Sequence, residues 1–202
     1  MKQVLLSFSV LFILITQVKG QGNQTDSLKA NLGISFSSFG ENVIVNSEDI
    51  IGGPSYSGQN FFTFGVNYTY PLRKWLDLET GIEYSEHKLK ISPAPGINTP
   101  SRSERFSLIN IPVTARINFL KYLFVNGGVL IEMDASSSMP INSQTGFGAV
   151  LGVGVHYGFK SGVNLFINPY SKFHSLAPFE SGNNHQKIFE TGVRIGVGFT
   201  VR

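Results

Sequence analysis

The sequence predicts an all-β fold, an eight-stranded antiparallel transmembrane β-barrel with up-and-down meander topology. Three observations carry this. Between Asn60 and Arg202, stretches of roughly ten residues alternate apolar with polar or small side chains, the strand period of two. The turns between these stretches alternate very short with long. The parity opposite the apolar one collects glycine and charge. In the last stretch Phe189, Thr191, Val193, Ile195, Val197, Phe199 and Val201 stand against Ile188, Glu190, Gly192, Arg194, Gly196, Gly198 and Thr200. A soluble β-sandwich or a lipocalin-like barrel also alternates, but it hides its apolar parity from water. Glycine and charge on the enclosed side fit a lipid-facing wall better.

Met1 and Lys2 open the chain, the apolar run Val4 to Ile15 follows, and Val18-Lys19-Gly20 supplies a site for cleavage. The run is too short to cross a bilayer comfortably and no stop-transfer charges follow it. Residues 1–20 are therefore expected to be a secretory signal peptide and residues 21–202 an outer-membrane β-barrel domain. The formal charge of +3 includes Lys2 and Lys19, so the remainder carries +1, and no stripe of Lys or Arg gives nucleic acid a footprint. The absence of cysteine rules out disulfides and thiolate metal sites.

The first strand is expected from Leu28 to Ser38, with Leu32, Ile34 and Phe36 outside and Gly33, Ser35 and Ser37 inside. Phe39 to Gln59 reads as a long loop, because Gly, Asn, Ser and Pro54 interrupt any regular pattern. The second strand, Asn60 to Tyr70, ends in the tight turn Pro71-Leu72-Arg73-Lys74. The third puts Leu76, Leu78, Thr80, Ile82 and Tyr84 outside and Asp77, Glu79, Glu83 and Ser85 inside. Lys88 to Glu104, with three prolines, is a second long connection, although its flanking hairpin has room to rise beyond a bilayer. The fourth strand, Arg105 to Phe119, turns at Leu120-Lys121 into the fifth, Tyr122 to Glu132. Met133 to Ser143 is the third long loop. The sixth strand, Gln144 to Tyr157, turns at Gly158 to Gly162 into the seventh, Val163 to about Tyr170, and Ser171 to Gln186 leads to the last.

Eight strands enclose a lumen only wide enough for side chains to fill. The expected interior polar network is Asp77, Glu79, Glu83, Arg116, Glu132, His156, Glu190 and Arg194, with inward glycines leaving room for the longer side chains. Five acids against two arginines is a costly imbalance in a narrow lumen. It requires water in part of the network, acids in a flared mouth, or one carboxyl that stays protonated. A plugged interior with at most a narrow water path is expected. Tyr68, Tyr70, Trp75, Phe119, Tyr122 and Tyr157 lie near the short turns, as an interfacial girdle would.

Chemistry is sparse. His174, His185 and Glu180 are conceivable as a loop-borne metal clip, but their spacing follows no zinc pattern. Ser175 with His174 and Glu180, or Ser85 with His87 and Glu86, fit an acyl-transfer scheme only if serine, histidine and acid meet within hydrogen-bond reach. No Gly-rich phosphate loop is present. No catalytic residue, no metal ligand and no cofactor is assigned. The short apolar island Val43-Ile44-Val45 suits a loop contact or a small patch for a partner.

Phe106-Ser107-Leu108-Ile109-Asn110-Ile111-Pro112-Val113-Thr114-Ala115-Arg116, followed by Tyr122-Leu123-Phe124-Val125-Asn126-Gly127-Gly128, resembles the small outer-membrane β-barrel proteins of Bacteroidetes, the PorT-like group. The positions carrying the resemblance are Leu108, Ile111, Pro112, Val113, Arg116, Gly127 and Gly128, while Ile117-Asn118 stands where the family pattern has a tyrosine. The resemblance implies an outer-membrane location, eight strands and, in most members, no assigned activity; some members serve export or motility machinery.

The expected role is therefore that of an integral outer-membrane protein, structural or surface-interacting and without catalysis, spanning several times with both termini periplasmic. Expected partners are outer-membrane lipid and lipopolysaccharide, the barrel-assembly machinery during insertion, and a protein at the surface loops. The alternatives are a narrow channel, a component of an export or motility assembly, and a lipid-modifying outer-membrane enzyme.

Overall fold

A computed structural model describes residues 29–45, 53–180 and 185–201. The expected signal segment and the first residues of the expected first strand lie outside the described residues. Eight strands follow in order: β1 (Asn31–Val45), β2 (Ser55–Arg73), β3 (Leu76–Ser92), β4 (Arg102–Phe119), β5 (Leu123–Asp134), β6 (Gly146–Gly158), β7 (Val163–Pro178) and β8 (Lys187–Thr200). Each pairs antiparallel with the next, and β8 pairs back onto β1 to close the ring. Closure removes both sheet edges, so backbone N–H and C=O groups find partners even where water is absent.

The wall is inverted relative to a soluble protein. Ile82 and Leu151 are 62% and 64% exposed on the outer face, while the inward Glu79 is 1% exposed. The aromatics beside the short turns, including Trp75, Tyr122 and Tyr157, are exposed as a group, and Tyr122 stacks on Tyr157 at 5.9 Å between ring centres. Leu120 and Lys121 make the β4–β5 turn with φ of 48° and 66°, the left-handed pair that matches strand twist across a minimal hairpin.

The strands are longer than expected at the opposite end. The connection placed at 39–59 shrinks to 46–54, and those placed at 88–104, 133–143 and 171–186 lie at 93–101, 135–145 and 179–186. The cause is a reversal of parity along single strands. From Leu76 to Tyr84 the apolar side chains of β3 face out, but beyond them Glu86, Lys88 and Lys90 face out and His87, Leu89 and Ile91 are buried. Past the apolar belt the outer face turns polar, so alternation becomes the ordinary polar-out, apolar-in pattern of a soluble sheet. Read with one fixed parity, that reversal looks like the end of a strand. Val43-Ile44-Val45 belongs to this extension rather than to a loop, reached through a register shift between Ser38 and Glu41 where Phe39 has φ of 59°.

The extensions bury an apolar cap. Leu89, Phe106, Leu108, Ile141 and Ile188 cluster there, with Ile44, Tyr56 and Met139 packed against them. Ile141 and Met139 come from the 135–145 connection, which folds back over the mouth instead of standing free.

Two prolines interrupt the ladder. Pairing of β3 with β4 skips from Thr80↔Val113 to Glu83↔Asn110 beside Pro112, and pairing of β6 with β7 skips from Gly152↔Tyr170 to Val155↔Ile167 beside Pro169. Proline has no N–H to donate. At the second gap the Asn168 side chain donates to the Val153 carbonyl at 3.1 Å, replacing part of what the backbone cannot make.

Candidate functional site

The polar interior is stacked in three levels. At the short-turn end lies a polar cavity of about 130 Å³ lined by Asn31, Asn67, Thr69, Asp77, Arg116 and His156, among others. Asp77 accepts a hydrogen bond from Asn118 at 2.6 Å, and the Arg116 guanidinium lies 3.8 Å over the Phe124 ring. His156 stands edge-on to Phe124 at 6.0 Å, half-buried beside the cavity rather than inside a catalytic set.

At mid-height the lumen is blocked. Arg194 Nη2 lies 2.7 Å from Glu79 Oε1 and its Nη1 3.8 Å from Glu83 Oε1, while the same guanidinium donates to Asn168 Oδ1 at 3.1 Å. Arg116 reaches the other Glu79 oxygen at 3.9 Å. Lys172 Nζ donates to Glu83 Oε2 at 2.6 Å and is itself 4% exposed. Phe124, Leu130 and Phe166 fill what the charges leave, and β8 makes room for one of them at Gly196, where any Cβ would collide with the Phe166 ring.

The third level sits under the cap. His174 Nδ1 and Glu132 Oε1 are 2.6 Å apart, and the Ser175 backbone N–H donates to Glu132 Oε2 at 2.8 Å. Gly148 creates the space for that carboxylate, since a Cβ there would stand 2.5 Å from Glu132 Oε2. His87 bonds Asn42 Oδ1 through Nδ1 at 3.3 Å and Ser85 Oγ through Nε2 at 3.1 Å, and is stacked between Phe61 and Phe106. Tyr170 donates to Glu190 Oε1 at 2.6 Å. Glu190 Oε2 faces His87 Nε2 at 3.6 Å and His174 Nε2 at 3.5 Å.

All of Asp77, Glu79, Glu83, Arg116, Glu132, His156, Glu190 and Arg194 thus face the lumen, although they divide among the three levels instead of forming one network. Lys172 and His174, read from sequence as loop residues, sit on β7 inside the barrel, and His87 joins them from β3. Lys172 supplies the third permanent cation and relieves much of the five-to-two imbalance. The signal was available: Phe166, Asn168, Tyr170, Lys172 and His174 share one parity, as do Glu79, Glu83, Ser85 and His87. The loop clip of His174, His185 and Glu180 does not form as drawn, because His174 points into the barrel to Glu132 and Glu180 is exposed.

Serine and histidine do meet, at Ser85 Oγ with His87 Nε2 and at Ser175 Oγ with His185 Nε2, 3.2 Å apart. The acid that acyl transfer requires does not join either pair as drawn: Glu86 pairs with Arg105 instead, Ser175 bonds His185 rather than His174, and Glu180 is exposed. Ser85, His87 and Ser175 are moreover all 0% exposed. Of the motif residues, Leu108 packs in the cap, Ile111 and Val113 lie on the opposite, outward parity of β4, and Pro112 marks the ladder gap. Gly127 and Gly128 lie on β5, where a Cβ on Gly128 would run into the β4 backbone.

No family model and no curated protein sequence matches the chain. Solved structures do. The outer membrane protein AlkL, determined in lipid bilayers, superposes with a TM-score of 0.56 at 10% identity, over 91% of this chain and 96% of its own. The outer membrane protein OprG from Pseudomonas aeruginosa superposes with a TM-score of 0.54 at 13% identity, over 86% of this chain and 96% of its own. At such identities the likeness is one of fold: a closed, eight-stranded meander barrel of this kind is an architecture already seen in solved outer-membrane proteins.

Proposed function

We propose that this chain is an integral outer-membrane β-barrel with a structural or surface-interaction role, closed to through-flow and without catalytic activity. The observation that carries the reading is the inverted wall: a continuous belt of exposed apolar side chains around a ring whose buried interior holds acids, arginines and a lysine. Water on the outer face would make that belt prohibitive, and lipid makes it stabilising. Short turns flanked by exposed aromatics at one end and longer connections at the other favour an orientation with the short turns and both termini periplasmic. The mid-height ion pairs and the apolar cap leave no continuous polar path among the described residues, which favours a plugged barrel over a channel. Among the described residues, burial of the Ser85–His87 and Ser175–His185 pairs favours a non-catalytic barrel over a lipid-modifying enzyme. The motif from Leu108 to Gly128 supports placement among PorT-like barrels, with lipopolysaccharide and the barrel-assembly machinery as its natural surroundings and a protein partner at the outer connections.

Heat-modifiable gel migration of membrane-extracted protein, joined to proteolysis of intact cells, tests this. A compact band that unfolds only on boiling is expected, with cleavage within 93–101 and none at the 73–75 turn. Recovery in the soluble periplasmic fraction would end the reading. Planar-bilayer recordings are expected to show no single-channel conductance, and steps abolished by Glu79→Gln would instead establish the channel alternative.

A further inference from the structure

We propose that His87 Nε2, His174 Nε2 and Glu190 Oε2 form a binding site for a divalent transition-metal ion of the zinc class, enclosed in the barrel beneath the apolar cap. The three side chains come from β3, β7 and β8, are each fully buried, and bring one ligand atom apiece within 4.8 Å of one another. Their measured separations from the carboxylate oxygen, 3.5 and 3.6 Å, are close to the ligand–ligand edge of a tetrahedral zinc site, about 3.3–3.5 Å for bonds near 2.0–2.1 Å.

The surrounding groups prepare each ligand atom. Glu132 holds His174 through Nδ1, the carboxylate–histidine arrangement that orients a metal-bound imidazole and raises its basicity. Asn42 donates its amide to the Gln59 carbonyl, which turns its Oδ1 toward His87 Nδ1 and leaves His87 Nε2 as the lone-pair nitrogen. Tyr170 and Lys172 engage Glu190 Oε1, so Oε2 is the oxygen left facing the histidines. His174 Nε2 and Glu190 Oε2 are buried without a hydrogen-bond partner, an arrangement that costs free energy unless something fills the gap between them. Ser85 Oγ, at the edge of the set, is a neutral oxygen available as fourth ligand or as acceptor for a bound water.

Charge points the same way. Asp77, Glu79 and Glu83 are matched in number by Arg116, Arg194 and Lys172. Glu190 shares Lys172 with Glu83, at 3.9 Å against 2.6 Å, and Glu132 faces only His174, so one divalent ion adds the positive charge this level is short of. Because Phe61, Phe106 and the cap seal the site, the ion is a structural one, loaded as the barrel closes and released on unfolding.

The test uses the full mature chain, unfolded in urea and refolded into detergent micelles with zinc, cobalt or magnesium, with heat-modifiable migration scoring folding. Zinc at about one ion per folded barrel after desalting is expected, with no magnesium retained. Cobalt is expected to give the visible ligand-field absorption of a four-coordinate site. Glu132→Gln, which leaves the three ligands in place, is expected to lower zinc affinity about 10–100-fold. His87→Gln with His174→Gln is expected to abolish binding, and His156→Gln to leave it unchanged. Wild-type barrel that folds with less than about 0.1 zinc overturns the proposal, as does full zinc content in a folded double variant. Should the double variant fail to fold, the cobalt spectrum of the wild type decides: four-coordinate bands uphold the site, and their absence removes it.

Discussion

Replacing Arg194 by leucine perturbs the mid-height plug at its centre. The guanidinium lies 2.7 Å from Glu79, 3.8 Å from Glu83 and 3.1 Å from Asn168 Oδ1, and all of these groups are buried. Lys172 still covers Glu83 in the variant, but Glu79 keeps only Arg116 at 3.9 Å, a poor substitute. Removing one partner of a buried pair leaves a desolvated charge, a loss of about 3–5 kcal/mol. With a denaturant slope of about 2–3 kcal/mol/M, the urea midpoint in micelles should fall by about 1–2 M. The assay is urea unfolding followed by gel migration and by Trp75, the only tryptophan, which is exposed beside the β2–β3 turn. The double variant Arg194→Leu with Glu79→Gln should recover most of the loss, because the stranded carboxylate is gone. A single-variant cost below about 1 kcal/mol would show that water already solvates Glu79, and the plug argument would fail.

Leu151→Arg, on the outer belt, should cost about 2–4 kcal/mol in lipid, whereas Lys90→Glu above the belt should be close to neutral; equal effects in vesicle unfolding would displace the membrane boundary. Gly148→Val should prevent Glu132 from reaching His174 and Ser175, and should destabilise by about 2 kcal/mol or more. Gly127→Ala meets the movable Leu151 methyl at 3.3 Å and the Val150 carbonyl at an ordinary 3.5 Å and should change the midpoint little, so similar losses in the two variants would contradict the packing described. Phe106→Ala removes a ring stacked on His87 and opens the cap; a loss of about 3–5 kcal/mol is expected, and an unchanged urea midpoint would show that the cap is not part of the cooperative unit.

The period-two pattern by itself determined the fold class, the strand count and the inward residues of the belt, because an apolar outer face and a narrow polar lumen put opposite chemistry on adjacent residues. The short turns at 120–122 and 159–162 were legible from the breaks in the alternation, whereas the turn expected at Pro71 to Lys74 lies at 74–75, because β2 continues through Pro71 to Arg73. The tertiary structure decided where the strands end and which distant residues share a level. Beyond the belt the outer face turns polar and the parity reverses, so segments rich in Ser, Asn and Lys are strands whose apolar side has moved inside. Nothing in local sequence reveals this, since both parities alternate equally well. Lys172, His87 and His174 continue the inward parity of the residues before them, and only the premature strand ends kept them from being read as lumen residues. The meeting of His87, His174 and Glu190 depends further on strand stagger around the closed ring, which brings positions more than a hundred residues apart to one height. Stagger is fixed by the mutual packing of all eight strands, a property of the ring and of no single stretch of the chain.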